Sequence, residues 1–133
     1  MSCILRISGE SLDIETALST CTVQPYLMWK KGEPRLLKGK THRDSGANFA
    51  ASEADFDEFP RQLAEATNYL KTHASALALL VATPGVQHST LDFGLSFQEG
   101  SVTQSFHFPS AFIKLAAQIG IGVEVSQYAC SDD

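Results

Sequence analysis

Apolar and polar or small residues alternate in the stretch that decides the fold, Leu91-Asp92-Phe93-Gly94-Leu95-Ser96-Phe97-Gln98. Successive side chains of a β-strand point to opposite faces, so this order places the apolar side chains together on one face. The stretch is therefore predicted to be a half-buried strand. A strand with one covered and one solvated face is typical of antiparallel sheets that carry a second layer on one side.

Other parts of the chain show strand patterns of different strength. The turn-like residues after Gln98 predict a hairpin, in which this strand pairs with a second one over residues 102–108. Residues 74–82 form a short apolar run that stops at Pro84-Gly85, which favours a central buried strand, although the alanines leave a helix open. The remaining predicted strands cover residues 3–7, 26–29, 47–52 and 121–128.

Three helices are predicted from apolar residues at three- and four-residue spacing. A short helix covers residues 14–19 behind Asp13, whose carboxylate suits the N-cap position. The longest covers residues 53–72 and holds Pro60 in its first turn, where the missing N–H costs nothing. The last covers residues 111–119, with a capping Ser110 before it and Gly120 at its end.

These elements predict an α+β fold: a mainly antiparallel sheet of about five to seven strands, with two longer helices and one short helix packed on one face. The chain has 133 residues, of which 44% are hydrophobic and 19% are charged, as in ordinary globular proteins. We expect a single domain over residues 1–133, because domains typically hold roughly 100–150 residues and no linker or repeat interrupts the sequence.

Charge is distributed unevenly along the chain. The net charge is −5, yet residues 30–43 hold six basic side chains and one acidic side chain. A nucleic-acid binder is expected to be basic overall or across a whole face, so the sequence argues against a nucleic-acid partner.

Cysteine usage and hydropathy bear on the compartment. Cys3, Cys21 and Cys130 form no C-x-x-C pair, and a sparse, odd set of cysteines argues against a secreted disulfide scaffold. No apolar run approaches the ~20 residues of a membrane helix, and the N-terminus lacks a signal-peptide pattern. We expect a cytoplasmic protein that does not contact a membrane, with Cys3 as a buried thiol.

Motifs for catalysis, metals and cofactors are weak in the sequence. Gly39-Lys40-Thr41 looks like the end of a phosphate-binding loop, but Pro34 stands where its first glycine is required. The four histidines lack metal-ligand spacing, and no nucleophile motif is present. Asp55, Asp57 and Glu58 could serve acid–base chemistry, but acidic side chains also favour helix N-termini. We predict no catalytic residue, no metal site and no cofactor, and do not favour an enzyme.

The loop at residues 30–43 is the most distinctive feature, because an aromatic residue precedes its cluster of cations. Such a loop could bind an anion, a phosphate backbone or an acidic partner. The alternative is a solvated basic loop with its tryptophan turned into the core. The candidate ligand-binding residues are Trp29, Lys30, Lys31, Arg35, Lys38, Lys40 and Arg43.

Three segments carry a resemblance to a known family. The first joins the strand Leu5-Arg6-Ile7-Ser8-Gly9-Glu10 to the helix start Leu12-Asp13-Ile14-Glu15. The second joins Val23-Gln24-Pro25 to Trp29-Lys30-Lys31-Gly32-Glu33, and the third is the closing helix and strand at residues 108–128. In these segments the chain resembles a bacterial family known as domain of unknown function 4279.

The resemblance implies a small bacterial cytoplasmic α+β protein, with a loose association to toxin-immunity gene families and no established activity. The chain departs from the family pattern after Ser45-Gly46, where Ala47-Asn48-Phe49 stands in place of a tryptophan.

The leading hypothesis for function is a non-catalytic protein-binding module, with an immunity-like partner as its sharper form. Two surfaces are candidates for the contact: the basic loop at 30–43 and the acidic run at 53–58, predicted to open a helix. The alternative is an enzyme or small-molecule binder that uses a cleft beside the sheet. A third hypothesis is an oligomeric structural domain without a ligand.

Overall fold

The computed structural model describes residues 1–36, 39–100 and 102–129. The candidate residue Lys38 lies outside these ranges. None of the described helices combines the length and hydropathy that a membrane span requires. In chain order, the elements are β1 (Cys3–Gly9), α1 (Ile14–Ser19), β2 (Leu27–Trp29), β3 (Ser45–Ser52), α2 (Phe59–Thr72), α3 (Ala74–Val81), β4 (His88–Phe97), α4 (Ser110–Ile119) and β5 (Gly122–Ala129).

The strands form one five-stranded sheet in the order β2-β3-β1-β4-β5. All neighbours are antiparallel except β4 and β5, which are parallel and joined through α4. The first strand of the chain is therefore the central one, and Leu5 lies opposite both Phe49 and Leu91. The predicted α+β class, the mainly antiparallel pairing and the strand number are confirmed.

The core lies on one face of the sheet, beneath the helices. Its centre is an aromatic cluster around Phe93, whose ring lies 5.9 Å from Phe59, 5.1 Å from Phe108 and 5.9 Å from Phe112 between centroids. Edge-on packing of this kind adds about 0.5–1.5 kcal/mol per pair to the free energy of burial. The buried strand residues of this face include Cys3, Leu5, Ile7, Ala47, Phe49, Leu91, Phe93 and Leu95.

The prediction of a strand at residues 74–82 is wrong, because these residues form α3 and give the fold a fourth helix. Leu77 and Leu80 are buried, while Leu79 is exposed. Alanine and leucine have high helix propensities, and a helix buries one stripe of this apolar run while its opposite side faces solvent. The helical alternative left open by the alanines is the one the chain adopts.

The predicted hairpin is also wrong, because residues 102–109 form no strand and the place beside β4 is taken by the parallel β5. Phe106 and Phe108 pack instead against Phe59 of α2, with centroid distances of 5.3 and 5.2 Å. The apolar residues that suggested a strand are instead those that pack on the aromatic core.

Two predicted helix starts are wrong in position. The helix predicted over 53–72 begins only at Phe59, so the acidic run at 53–58 precedes α2 and does not form its first turn. Pro60 does lie in the first turn, as predicted. Ser110 is the first residue of α4, and Pro109 takes the N-cap position. Asp13 caps α1 as predicted, accepting hydrogen bonds from the backbone N–H of Thr16 at 3.2 Å and from its hydroxyl at 2.8 Å.

Candidate functional site

The segment 30–43, here called the basic arm, is described over residues 30–36 and 39–43, which form two limbs that pair beside β2. The backbone N–H of Gly32 donates to the carbonyl of His42 at 2.9 Å, and the N–H of Arg35 donates to the carbonyl of Lys40 at 2.9 Å. Pro34 and Thr41 form a β-bridge between the two limbs. The two described limbs therefore hold Arg35 and Lys40 in a defined pairing.

Trp29 fixes the base of the arm. Its indole Nε1 donates to Asp44 Oδ1 at 2.9 Å, and its ring stacks on His42 with centroids 5.8 Å apart. Gly46 makes room for the indole, because a Cβ at that position would lie 2.5 Å from Trp29 Cζ2. Trp29 is half-buried on the face of the sheet opposite the core, so it is not turned into the core.

A groove of about 730 Å³ runs between β2 and the arm, a size typical of ligand-binding clefts. All three residues of β2 line it, although Met28 points to the core face of the sheet and its two neighbours to the opposite face. A groove reached from both faces must follow the outer edge of the strand. The lining residues are Leu27, Met28, Trp29, Glu33, Pro34, Arg35, Leu36 and His42.

The floor of this groove is apolar and open to solvent. Leu27 is 50% exposed and Met28 is 41% exposed, and Leu36 projects from the arm without cover. Sequence reasoning did not select any of these three residues. The sequence gives a hint only for Leu36, which is an apolar residue within a basic loop.

The cations of the arm fall into two groups. Lys30 forms an ion pair with Glu15 of α1, and the hydrogen bond to that carboxylate raises the pKa of Lys30. Lys31, Arg35, Lys40 and Arg43 are exposed, and no carboxylate within the described ranges lies within ion-pair distance of them. The structure thus leaves four of the predicted cations exposed on the arm, of which Arg35 lines the groove, and sets Lys30 apart.

The acidic run at 53–58 lies on another part of the molecule, between β3 and α2. Glu53 pairs with the N-terminal amine at 3.4 Å, and Glu58 pairs with Arg61 at 3.5 Å. Side-chain oxygens of Asp55, Asp57 and Glu58 lie within 4.8 Å of one another. Exposed carboxylates cluster in this way near many helix starts, since they favour the positive end of the helix dipole.

The strongest pKa shifts lie in the core, away from the groove. Burial raises the pKa of the Cys3 thiol well above its ordinary range, and burial raises the pKa of Tyr69 to about 12. A buried, protonated thiol is a poor nucleophile. Cys3 is fully buried, which confirms its predicted place in the core.

Smaller depressions lie elsewhere among the described residues. One of about 280 Å³ lies between α1 and α3 and includes Cys21. Another, of about 250 Å³, lies on the face of the sheet opposite the helices and includes Arg6 and Glu124. A third, of about 110 Å³, lies at the acidic run and includes Glu53 and Asp55. None of these three matches the groove beside β2 in volume.

The fold defines the class of protein: a small α+β domain whose helices cover one face of an open, mainly antiparallel sheet. Within that class, the chain belongs to the family described as Domain of unknown function (DUF4279), whose model matches residues 1–130. This match confirms the resemblance drawn from the sequence. No curated protein and no solved structure matches the chain significantly.

Proposed function

We propose that this chain is a non-catalytic protein-binding module and that its contact surface is the groove beside β2 together with the basic arm. One observation carries the proposal: an apolar groove with exposed Leu27 and Met28 is lined by Arg35, a cation that lacks a described acidic partner, and the same arm holds further exposed cations. A typical protein interface has an apolar centre and a polar rim, and the groove with its arm offers both.

The partner is an acidic protein surface that presents an apolar side chain. Covering a fully exposed leucine such as Leu36 is worth about 1.5–3 kcal/mol, and the half-exposed Leu27 and Met28 would add a smaller contribution. The exposed cations Lys31 and Arg35 would steer an acidic partner toward the groove and set its orientation.

A more specific form of this proposal is an immunity-like role in the cytoplasm of a bacterium. The module would then cover an acidic functional surface of its partner with the arm. The run at 53–58 is the second candidate surface, suited to a basic partner, but Glu58 already pairs with Arg61 within this chain. The arm is therefore the favoured contact.

The proposal is tested by capture of partners from the lysate of the host, at low and high salt, with matched variants. The arm variant Lys31→Glu/Arg35→Glu changes the net charge by the same amount as the control Lys71→Glu/Lys114→Glu, whose residues are exposed on α2 and α4. We expect one stoichiometric protein that binds the wild type and the control, and about tenfold or more weaker binding to the arm variant.

The salt response separates the two candidate surfaces. Binding through the arm should weaken at high salt in the wild type and respond less to salt in the arm variant. Loss of binding in Asp55→Lys/Asp57→Lys, with the arm variant unaffected, would contradict the arm and assign the contact to the acidic run.

A small-molecule binder is the second candidate function, and the volume of the groove favours it. At about 730 Å³, the groove lies within the roughly 300–1,000 Å³ of small-molecule sites. Native mass spectrometry of the purified protein tests this candidate. A bound metabolite that is lost in Leu27→Glu, but kept in the surface control Leu79→Glu, would favour it over a protein partner.

A further inference from the structure

We propose that two copies of this chain associate through their β5 strands, which pair antiparallel edge to edge and join the two sheets into one. The contact lies at the end of the sheet away from β2. It is therefore independent of the groove and of the function proposed for it.

The outer edge of β5 offers a long row of backbone groups for pairing. β5 is the last strand of the sheet, and it runs for eight residues against β4, from Thr90–Gly122 to Phe97–Ala129, without a shift in register. No strand within the described ranges pairs with its other side. About half of the N–H and C=O groups of such a strand point outward, where they are a template for another strand.

β5 lacks the devices that usually protect an edge. Proteins block edge strands with lysine, proline, bulges or short length, but Gly122–Ala129 contains no lysine, arginine or proline and only one charged residue, Glu124. β2 shows the opposite design, because it has only three residues and is flanked by Pro25 and Lys30.

Apolar side chains are exposed on and beside this edge. Val125 and Tyr128 of β5 are exposed, as is Ile113 of α4, the helix that leads into β5. A second copy is the occupant that fits best, because each copy offers the same unblocked edge with exposed Val125 and Tyr128, and a two-fold contact of identical edges closes at two subunits.

The single charge limits the register of the pairing. In a two-fold antiparallel pair, the residue on the axis lies opposite its own copy, so a centre at Glu124 would place two carboxylates together. A centre at Ser126 places Glu124 opposite Tyr128 of the second copy, where the phenol can donate to the carboxylate. A centre at Val125 places Glu124 opposite Ser126, which is also compatible.

Mass and amide hydrogen exchange of the wild-type chain test this inference directly. Sedimentation equilibrium from about 1 µM to 1 mM spans the range of weak protein contacts, and we expect the mass to rise from one chain to two. At the high end, outward amides of β5 should exchange at least about tenfold more slowly, while those of β2 should not change. A monomer at all concentrations, a mass above two chains, or a dimer without protection of β5 would overturn the inference.

A matched pair of variants tests the edge itself. Val125→Lys places a cation on the edge, and Leu79→Lys makes a similar change on exposed α3. We expect Val125→Lys to weaken self-association at least about tenfold and Leu79→Lys to leave it unchanged. The reverse order would overturn the inference, and the exchange measurement on the wild type remains decisive if Val125→Lys fails to fold.

Discussion

The two edges of the sheet differ in length, charge and cover. β2 has three residues and carries beside it a basic arm that forms a groove along its outer side. β5 has eight residues, one charge and no described strand along its outer side. If both proposals hold, one sheet offers two kinds of contact: side-chain chemistry would select the partner at β2, whereas backbone pairing would dominate at β5.

Both edges depend on one aromatic core, so its loss should have the largest effect. Phe93→Ala removes the ring that Phe59, Phe108 and Phe112 contact, and we expect the free energy of unfolding to fall by about 3–5 kcal/mol. Urea denaturation measures this loss. Phe97→Ala, which alters an exposed residue of the same strand, is the control, and equal losses in the two variants would contradict the assigned core.

Glycine-to-alanine substitutions should affect stability differently near the two ends of the sheet. Gly46 of β3 contacts Trp29 of β2, whereas Gly122 lies in the edge strand β5. In Gly46→Ala the new Cβ would lie 2.5 Å from both the carbonyl oxygen of Ile7 and the Trp29 ring, whereas in Gly122→Ala its nearest neighbour is the carbonyl oxygen of Ser89, 3.8 Å away. Overpacking should cost Gly46→Ala about 1–3 kcal/mol. Gly122→Ala should be neutral or more stable by up to about 1 kcal/mol. Thermal unfolding of both variants measures these changes in stability. A larger loss of stability in Gly122→Ala than in Gly46→Ala would contradict the prediction.

Two aromatic residues offer a smaller contrast. Trp29→Phe removes the hydrogen bond from Nε1 to Asp44 and should cost about 0.5–1.5 kcal/mol. Tyr128→Phe removes an exposed hydroxyl on β5 for which the described residues show no hydrogen-bond partner, and should change the stability of the monomer very little. Denaturation at low protein concentration, where self-association is absent, measures both. The prediction fails if Tyr128→Phe is the more damaging change.

The smallest effect is expected from pH, through Glu65 on α2. Hydrogen bonds, first from the Ser52 hydroxyl and then from Arg61, lower the pKa of Glu65 below its ordinary value of 4.5. Because the folded state favours the carboxylate, its contribution is present above pH 4.5 and is lost as pH falls through the lowered pKa. Melting temperatures from pH 6 to 3 should therefore fall less steeply in Glu65→Gln than in the wild type. Equal slopes would show that Glu65 contributes no pH-dependent stability.

The fold was predictable wherever local pattern and tertiary environment agree. The alternation at residues 91–97 predicted β4, and Asp13 predicted the start of α1, because period and cap are properties of adjacent residues. Residues 74–82 and 102–108 were misassigned, since a short apolar run is compatible with either structure and only the neighbouring elements decide. The parallel pairing of β5 with β4 has no local signal at all.

The candidate site was predictable only in its charges. The cluster of cations at 30–43 was visible in the sequence, but the ion pair between Lys30 and Glu15 joins residues that only the fold brings together. Leu27 and Met28 are apolar, so their sequence predicts burial. Their exposure follows from the position of β2 at an edge, and the place of His42 in the groove follows from the return of the arm onto Trp29.

The central position of β1 has a consequence for synthesis on the ribosome. Leu5 pairs with Phe49 on one side and with Leu91 on the other, so β1 emerges before both of its partners and must wait for β4 before both its sides are covered. Contacts so distant in sequence make folding slow compared with that of helical proteins. During this interval an apolar strand is open to wrong partners, which is the situation in which chaperones act. Nascent chains stalled before residue 88 should therefore lack the native sheet.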